Sequence, residues 1–90
     1  MLKDEKRQRN VIFNVIQTLN DEYKRANITA RYAIGDNAVL ITMWTNGKRM
    51  RGNLINTADL RTYQELFSKA YKTLRNTIIQ YSIYAHYDFI

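Results

Sequence analysis

The sequence predicts a single α+β domain in α-β-β-β-α order: a three-stranded antiparallel meander with two long helices packed on one face. Three observations predict it. Apolar residues recur at helical spacing towards both ends of the 90-residue chain, strict alternation replaces that spacing through the middle, and the dipeptides Asp36-Asn37 and Asn46-Gly47 cut the alternating part into three. A chain of this length holds one hydrophobic core and is too short for two domains. Its 46% content of hydrophobic residues separates it from disordered sequences.

Helix one is expected over residues 4–26. Ile12, Val15, Ile16, Leu19 and Tyr23 fall on one helical face. Asp4 and Glu5 stand where the helix dipole favours anions, Lys24 and Arg25 where it favours cations, and Asn27 offers a left-handed stop.

Strands are expected over 28–34, 38–45 and 48–55. If both turns are two residues wide, with Asn46-Gly47 in the type I′ form, Ile34 opposes Val39, Tyr32 opposes Ile41 and Ala30 opposes Met43. On the other side of the hairpin Thr45 opposes Lys48, Trp44 opposes Arg49, Met43 opposes Met50 and Thr42 opposes Arg51. The two registers agree, because together they gather Ile28, Ala30, Tyr32, Ile34, Val39, Ile41, Met43 and Met50 on one apolar face. Thr29, Arg31, Ala33, Leu40, Thr42, Trp44, Arg49 and Arg51 take the other.

Helix two is expected over 57–85, opened by Asn56 as cap with Asp59 three residues on. Its apolar line is Leu60, Tyr63, Phe67, Ala70, Leu74, Ile78 and Tyr81, with Leu66 and Tyr84 at the margins. Such a helix, about 43 Å long, overhangs strands of about 23 Å. The overhang and the apolar tail over 86–90 carry Ile79, Ile83, Tyr84, Tyr87 and Phe89, a surface suited to a second copy of the chain or to a partner protein.

Chemistry is thinly represented. There is no cysteine, so thiolate nucleophiles, disulfides and cysteine-based zinc sites are excluded. The one histidine, His86, has only Asp88 beside it, short of the three or four converging donors a metal needs. Three scattered glycines form no phosphate loop. The expectation is a non-enzymatic protein with no metal, no cofactor and no small-molecule substrate. No stretch approaches the roughly 18 apolar residues of a membrane span, and the charged start MLKDEKRQRN is not a secretory leader, so a cytoplasmic protein is expected.

The formal charge of +6 favours acidic partners, nucleic acid or an acidic protein surface. Lys48, Arg49 and Arg51 on the second hairpin, with Arg31 on the neighbouring strand and Trp44 as a stacking surface, make a compact basic and aromatic patch. Lys69, Lys72 and Arg75 lie three apart along helix two and would extend it, although Arg61, Glu65 and Lys69 also fit ordinary i,i+4 pairing on a solvated face.

The element order resembles that of the double-stranded-RNA-binding domain family, and the basic second hairpin fits it. The resemblance is topological. Thr57 to Arg61, where that family opens its second helix with a cationic cluster, holds one base, Arg61, and an acid, Asp59; Gly35-Asp36-Asn37 lacks the family's Gly-Pro-x-His loop. No family is assigned on it. The functional expectation is a basic, homodimeric module that contacts nucleic acid or a nucleic-acid-handling protein. Two alternatives remain open: a phage-type inhibitor that occupies a bacterial host protein, which the abundance of Ile, Asn, Lys and Tyr typical of AT-rich genomes permits, and a structural homodimer.

Overall fold

A computed structural model describes residues 2–85, with side chains through residue 82. Helix α1 spans Glu5–Glu22, strands β1 Ile28–Ile34, β2 Ala38–Thr45, β3 Lys48–Arg49 and β4 Asn53–Asn56, and helix α2 Tyr63–Ala85. The order is α-β-β-β-α, the third strand being divided between β3 and β4, which both pair antiparallel with β2 while β1 takes its other edge.

The first hairpin follows from its turn. Gly35 N–H donates to the Ala38 carbonyl at 2.8 Å, and Ile34 opposes Val39, Tyr32 opposes Ile41 and Ala30 opposes Met43. At the second hairpin Asn46 and Gly47 take φ of 50° and 80°, the paired left-handed residues of a type I′ turn, and Trp44 opposes Arg49. Parity then decides burial. Ile28, Val39, Ile41, Met43 and Met50 are sealed against the helices, together with Ile12, Val15, Ile16 and Leu19 of α1 and Leu66, Ala70, Leu74 and Ile78 of α2. Both helices therefore cover one face of the sheet and leave the other open.

Three expectations are corrected. Helix one ends at Glu22, not at residue 26: Tyr23 is its C-cap and donates to the Leu19 carbonyl, and a turn follows in which Ala26 donates to the Tyr23 carbonyl. Asn27 does adopt the left-handed conformation, φ 47°, but as the last residue before β1. Lys24 and Arg25 thus stand on the α1–β1 connection, outside the last turn of the helix. At the other end the helix starts at Glu5 and Asp4, expected within its first turn, is its cap, accepting from Arg7 N–H at 3.2 Å.

The third strand is not continuous over 48–55. Met50 N–H donates to the Met43 carbonyl in the expected register, but Ile41 then opposes Asn53, so Arg51 and Gly52 share the single opposite residue Thr42. This is a β-bulge. Its cause is packing: an unbroken register would have carried Gly52 and Leu54 inward, whereas one extra residue seals Ile55 at 1% exposure and turns Leu54 out at 69%. The bulge also lets buried Asn53 accept a hydrogen bond from Thr77 Oγ1 of α2, 2.9 Å away.

Helix two begins at Tyr63 and not at residue 57. Asn56 Oδ1 accepts from Ala58 N–H, and Leu60 N–H donates to the Thr57 carbonyl, so the chain turns here. Thr57 N–H is held by the Asn37 carbonyl, and Leu60 buries its side chain. The helix opens instead on a capping box: Glu65 N–H donates to Thr62 Oγ1 and Thr62 N–H donates to Glu65 Oε1, both at 3.1 Å. Replacing Thr62 by Ala removes this and is expected to lower stability by about 1 kcal/mol. Urea denaturation checks it; a larger loss from Asn56→Ala would restore the earlier cap. The later start leaves a helix of 23 residues, about 34 Å.

One contact tying the helices carries a pH dependence. The Tyr71 hydroxyl donates to the Glu22 carboxylate, 2.6 and 2.9 Å from its two oxygens. That bond first, and then burial, hold the Tyr71 hydroxyl above its usual 10.0. A raised folded-state value means that this stabilisation is complete below the unfolded value and fades as pH rises through the folded one. Thermal melts should therefore show a loss of stability above about pH 10 that Tyr71→Phe makes shallower. Identical alkaline limbs for the two proteins would show that the contact does not contribute.

Candidate functional site

The open face of the sheet is built in three cross-strand rows. Thr29, Trp44 and Arg49 are opposite one another nearest the second turn. Arg31 and Thr42 come next, with Arg51 and Gly52 of the bulge beyond them. Ala33, Leu40 and Leu54 form the third row. Parity delivers Arg31, Trp44, Arg49 and Arg51 to one surface, with Met43 fully buried on the other side; Lys48, expected beside them, opposes buried Thr45 and so takes the other parity at the hairpin's exposed edge. The Arg31 guanidinium lies 5.8 Å from the Trp44 ring centre, in cation–π range, and a shallow hollow of about 340 Å³ opens between Thr29, Ala30, Arg31 and Trp44. Trp44 is half-buried, while Arg31, Arg49, Arg51 and Lys48 are exposed. From Ile28 to Asn56 the only acid is Asp36, in the first turn, so the three rows carry no carboxylate.

The tip of the second hairpin is fastened down. Thr45, itself buried, donates its hydroxyl to the Ala26 carbonyl; Asn46 Nδ2 donates to the Arg25 carbonyl at 3.3 Å. Asn20 of α1 pairs with both backbone groups of Ile28, at 2.9 and 2.7 Å, and fixes the start of β1 alongside. These bonds bring the connection that carries exposed Lys24 and Arg25 against the turn that precedes Lys48 and Arg49. Sequence reasoning missed Lys24 and Arg25 as neighbours of the patch because it placed them inside helix one. It missed Leu54 because the bulge reverses the parity of everything after Gly52.

The helix-two cations go elsewhere. α2 lies in the layer beneath the sheet, and Lys72 and Arg75 are exposed on it, away from the three rows. Lys69 donates to the Asn56 carbonyl at 3.0 Å at the end of β4, and Glu65 turns back to the cap, so the i,i+4 pairing expected of Arg61, Glu65 and Lys69 gives way to backbone contacts. Thr57 to Arg61, the cationic-cluster position in the double-stranded-RNA-binding topology, forms a turn instead of opening a helix. Of the expected interface residues, Ile79 is half-buried. The side chains of Ile83 and Tyr84, and the whole of Tyr87, Phe89 and the 86–90 tail, lie outside the described residues.

Among the described residues no group of three or more acidic or histidine side chains is placed to hold a metal ion, and no helix is long and apolar enough to cross a membrane. Comparison of the chain with known protein families, with characterised proteins and with solved structures found no match.

Proposed function

We propose that this chain is a small non-enzymatic binding module that engages nucleic acid through the open face of its sheet, using Arg31, Trp44, Arg49 and Arg51, with Lys48 adding charge at the hairpin's edge. The observation that carries the reading is the composition of that face: three arginines and the chain's only tryptophan on a surface that, among the described residues, no helix covers and no carboxylate interrupts. Cations fixed on a rigid sheet neutralise phosphates and release counterions, and a tryptophan face stacks a base. Lys24 and Arg25 widen the cationic margin, whereas Lys72 and Arg75 fall outside the footprint. The reading implies a cytoplasmic protein, where such a partner is met.

Electrophoretic mobility shift against single-stranded and duplex DNA and RNA over a salt series tests it. A retarded band whose affinity falls steeply with salt is expected. No shift at low salt would eliminate nucleic acid as the partner. Retention of one bacterial protein from nuclease-treated lysate would then assign the face to an acidic host protein.

A further inference from the structure

Resting on that reading, the geometry points to single-stranded nucleic acid as the ligand, laid along β2 with bases against Trp44 and the Leu40–Leu54 pair and phosphates between them on Arg31 and Arg51. The argument starts from the third row. Leu40 and Leu54 are exposed by 47% and 69%, and they are direct cross-strand partners, so two large apolar side chains form one uncharged patch on an otherwise basic face. An exposed apolar pair built by a bulge, which also hides Ile55, calls for an apolar counterpart. In a duplex the bases are turned inward, and the outer surface presented to a flat sheet is phosphate and sugar, which offers these leucines nothing. In a single strand the base faces are available.

Spacing agrees. Successive rows are two residues apart along β2, about 7 Å. Trp44 and Leu40 are thus separated by about 14 Å, and the row that carries Arg31, Thr42 and Arg51 lies midway. An aromatic ring flanked by Arg49, a cationic row and an apolar pair therefore follow one another along the strand direction, the order in which an extended strand offers base, phosphate and base.

Size and charge favour this occupant over the others. Three strands about 4.8 Å apart and three rows about 7 Å apart give a face on the order of 300 Å². A stable protein partner needs about 800 Å², and a single duplex-binding module about 600–1,000 Å². A few nucleotides need no more than is present. A second copy of this chain would set arginines against arginines with no acid to relieve them.

Trp44 is the only tryptophan, so its fluorescence reports on the site directly. The test titrates the full chain with a short oligothymidylate, the matching oligouridylate, a mixed-sequence duplex and poly-glutamate. Expected are quenching of Trp44 by either single strand and affinity at least about tenfold above that for the duplex, the factor that one stacked base contributes. Leu40→Ser and Leu54→Ser, at exposed positions that leave the fold intact, should each weaken single-strand binding several-fold, with the salt slope and the duplex affinity unchanged. Duplex bound as tightly as single strand without quenching, or leucine variants that bind the single strand like the parent, would overturn this inference and leave the nucleic-acid reading standing. Poly-glutamate bound in place of every oligonucleotide, or no ligand bound at all, would overturn both.

Discussion

Replacement of Arg31, Arg49 and Arg51 together by glutamine is expected to lower oligonucleotide affinity by about two orders of magnitude at low salt. It should also flatten the dependence of log K on log salt by about two, since each phosphate contact on a single strand contributes a slope of about 0.7. The change halves the formal charge of +6. All three side chains are exposed, so folding stability should stay within about 0.5 kcal/mol of the parent and circular dichroism should be unaltered. Two comparisons separate charge from position. Lysine at the same three sites keeps the cations and should restore most of the salt slope, losing only what the flat guanidinium adds against Trp44. Lys72→Gln with Arg75→Gln removes two charges from the helical layer and should alter the slope little. Equal losses from the sheet set and the helix set would mean that net charge alone draws the ligand, and the assignment of a site to the open face would fail.

Legibility of the fold divides at Met50. Up to that residue, alternation and turn chemistry point the same way: the left-handed pair Asn46-Gly47 fixes one register, Gly35 to Ala38 closes the other, and burial follows from parity. Beyond it, alternation alone misleads. Gly52 inside a strand pattern is itself a bulge signal, and it went unread because Met50 to Asn56 also fits an unbroken alternating strand. What settles the matter is tertiary. Ile55 fills the core and Asn53 meets Thr77, a contact between residues 24 apart in sequence that no local pattern contains. The candidate site was legible in its cations and tryptophan for the same reason, since all of them precede the bulge or sit on it. Its apolar half was not, because Leu54 owes its exposure to the extra residue.

The start of helix two shows a different kind of ambiguity, with two capping signals six residues apart in one stretch. Asn56 with Asp59 and Thr62 with Glu65 both satisfy the local rule. The second wins because Leu60 buries its side chain from a turn and Thr57 N–H is claimed by Asn37, which holds the chain away from helical geometry between them.

The core line of the helix also differs from the expected one at Leu66 and Phe67, and a pair of core substitutions measures it. The sequence line ran through Phe67 with Leu66 at its margin; in the structure Leu66 is fully buried, and Phe67 is half-buried and stacked on Tyr71 with ring centres 6.4 Å apart. Leu66→Ala opens a cavity between α2 and the rest of the core and should cost about 2–5 kcal/mol. A domain of this length has only about 5–13 kcal/mol in total, so the variant should lie close to unfolding at 37 °C and show a greatly lowered urea midpoint with an unchanged m-value. Phe67→Ala removes the larger side chain but leaves a site that already meets water, so its loss should be clearly the smaller of the two. The reverse ranking would mean that the helical face is rotated by one residue towards Phe67. Thr77 would then turn away from Asn53, and with it would go the buried contact that holds β4 in its bulged register and keeps Leu54 on the open face.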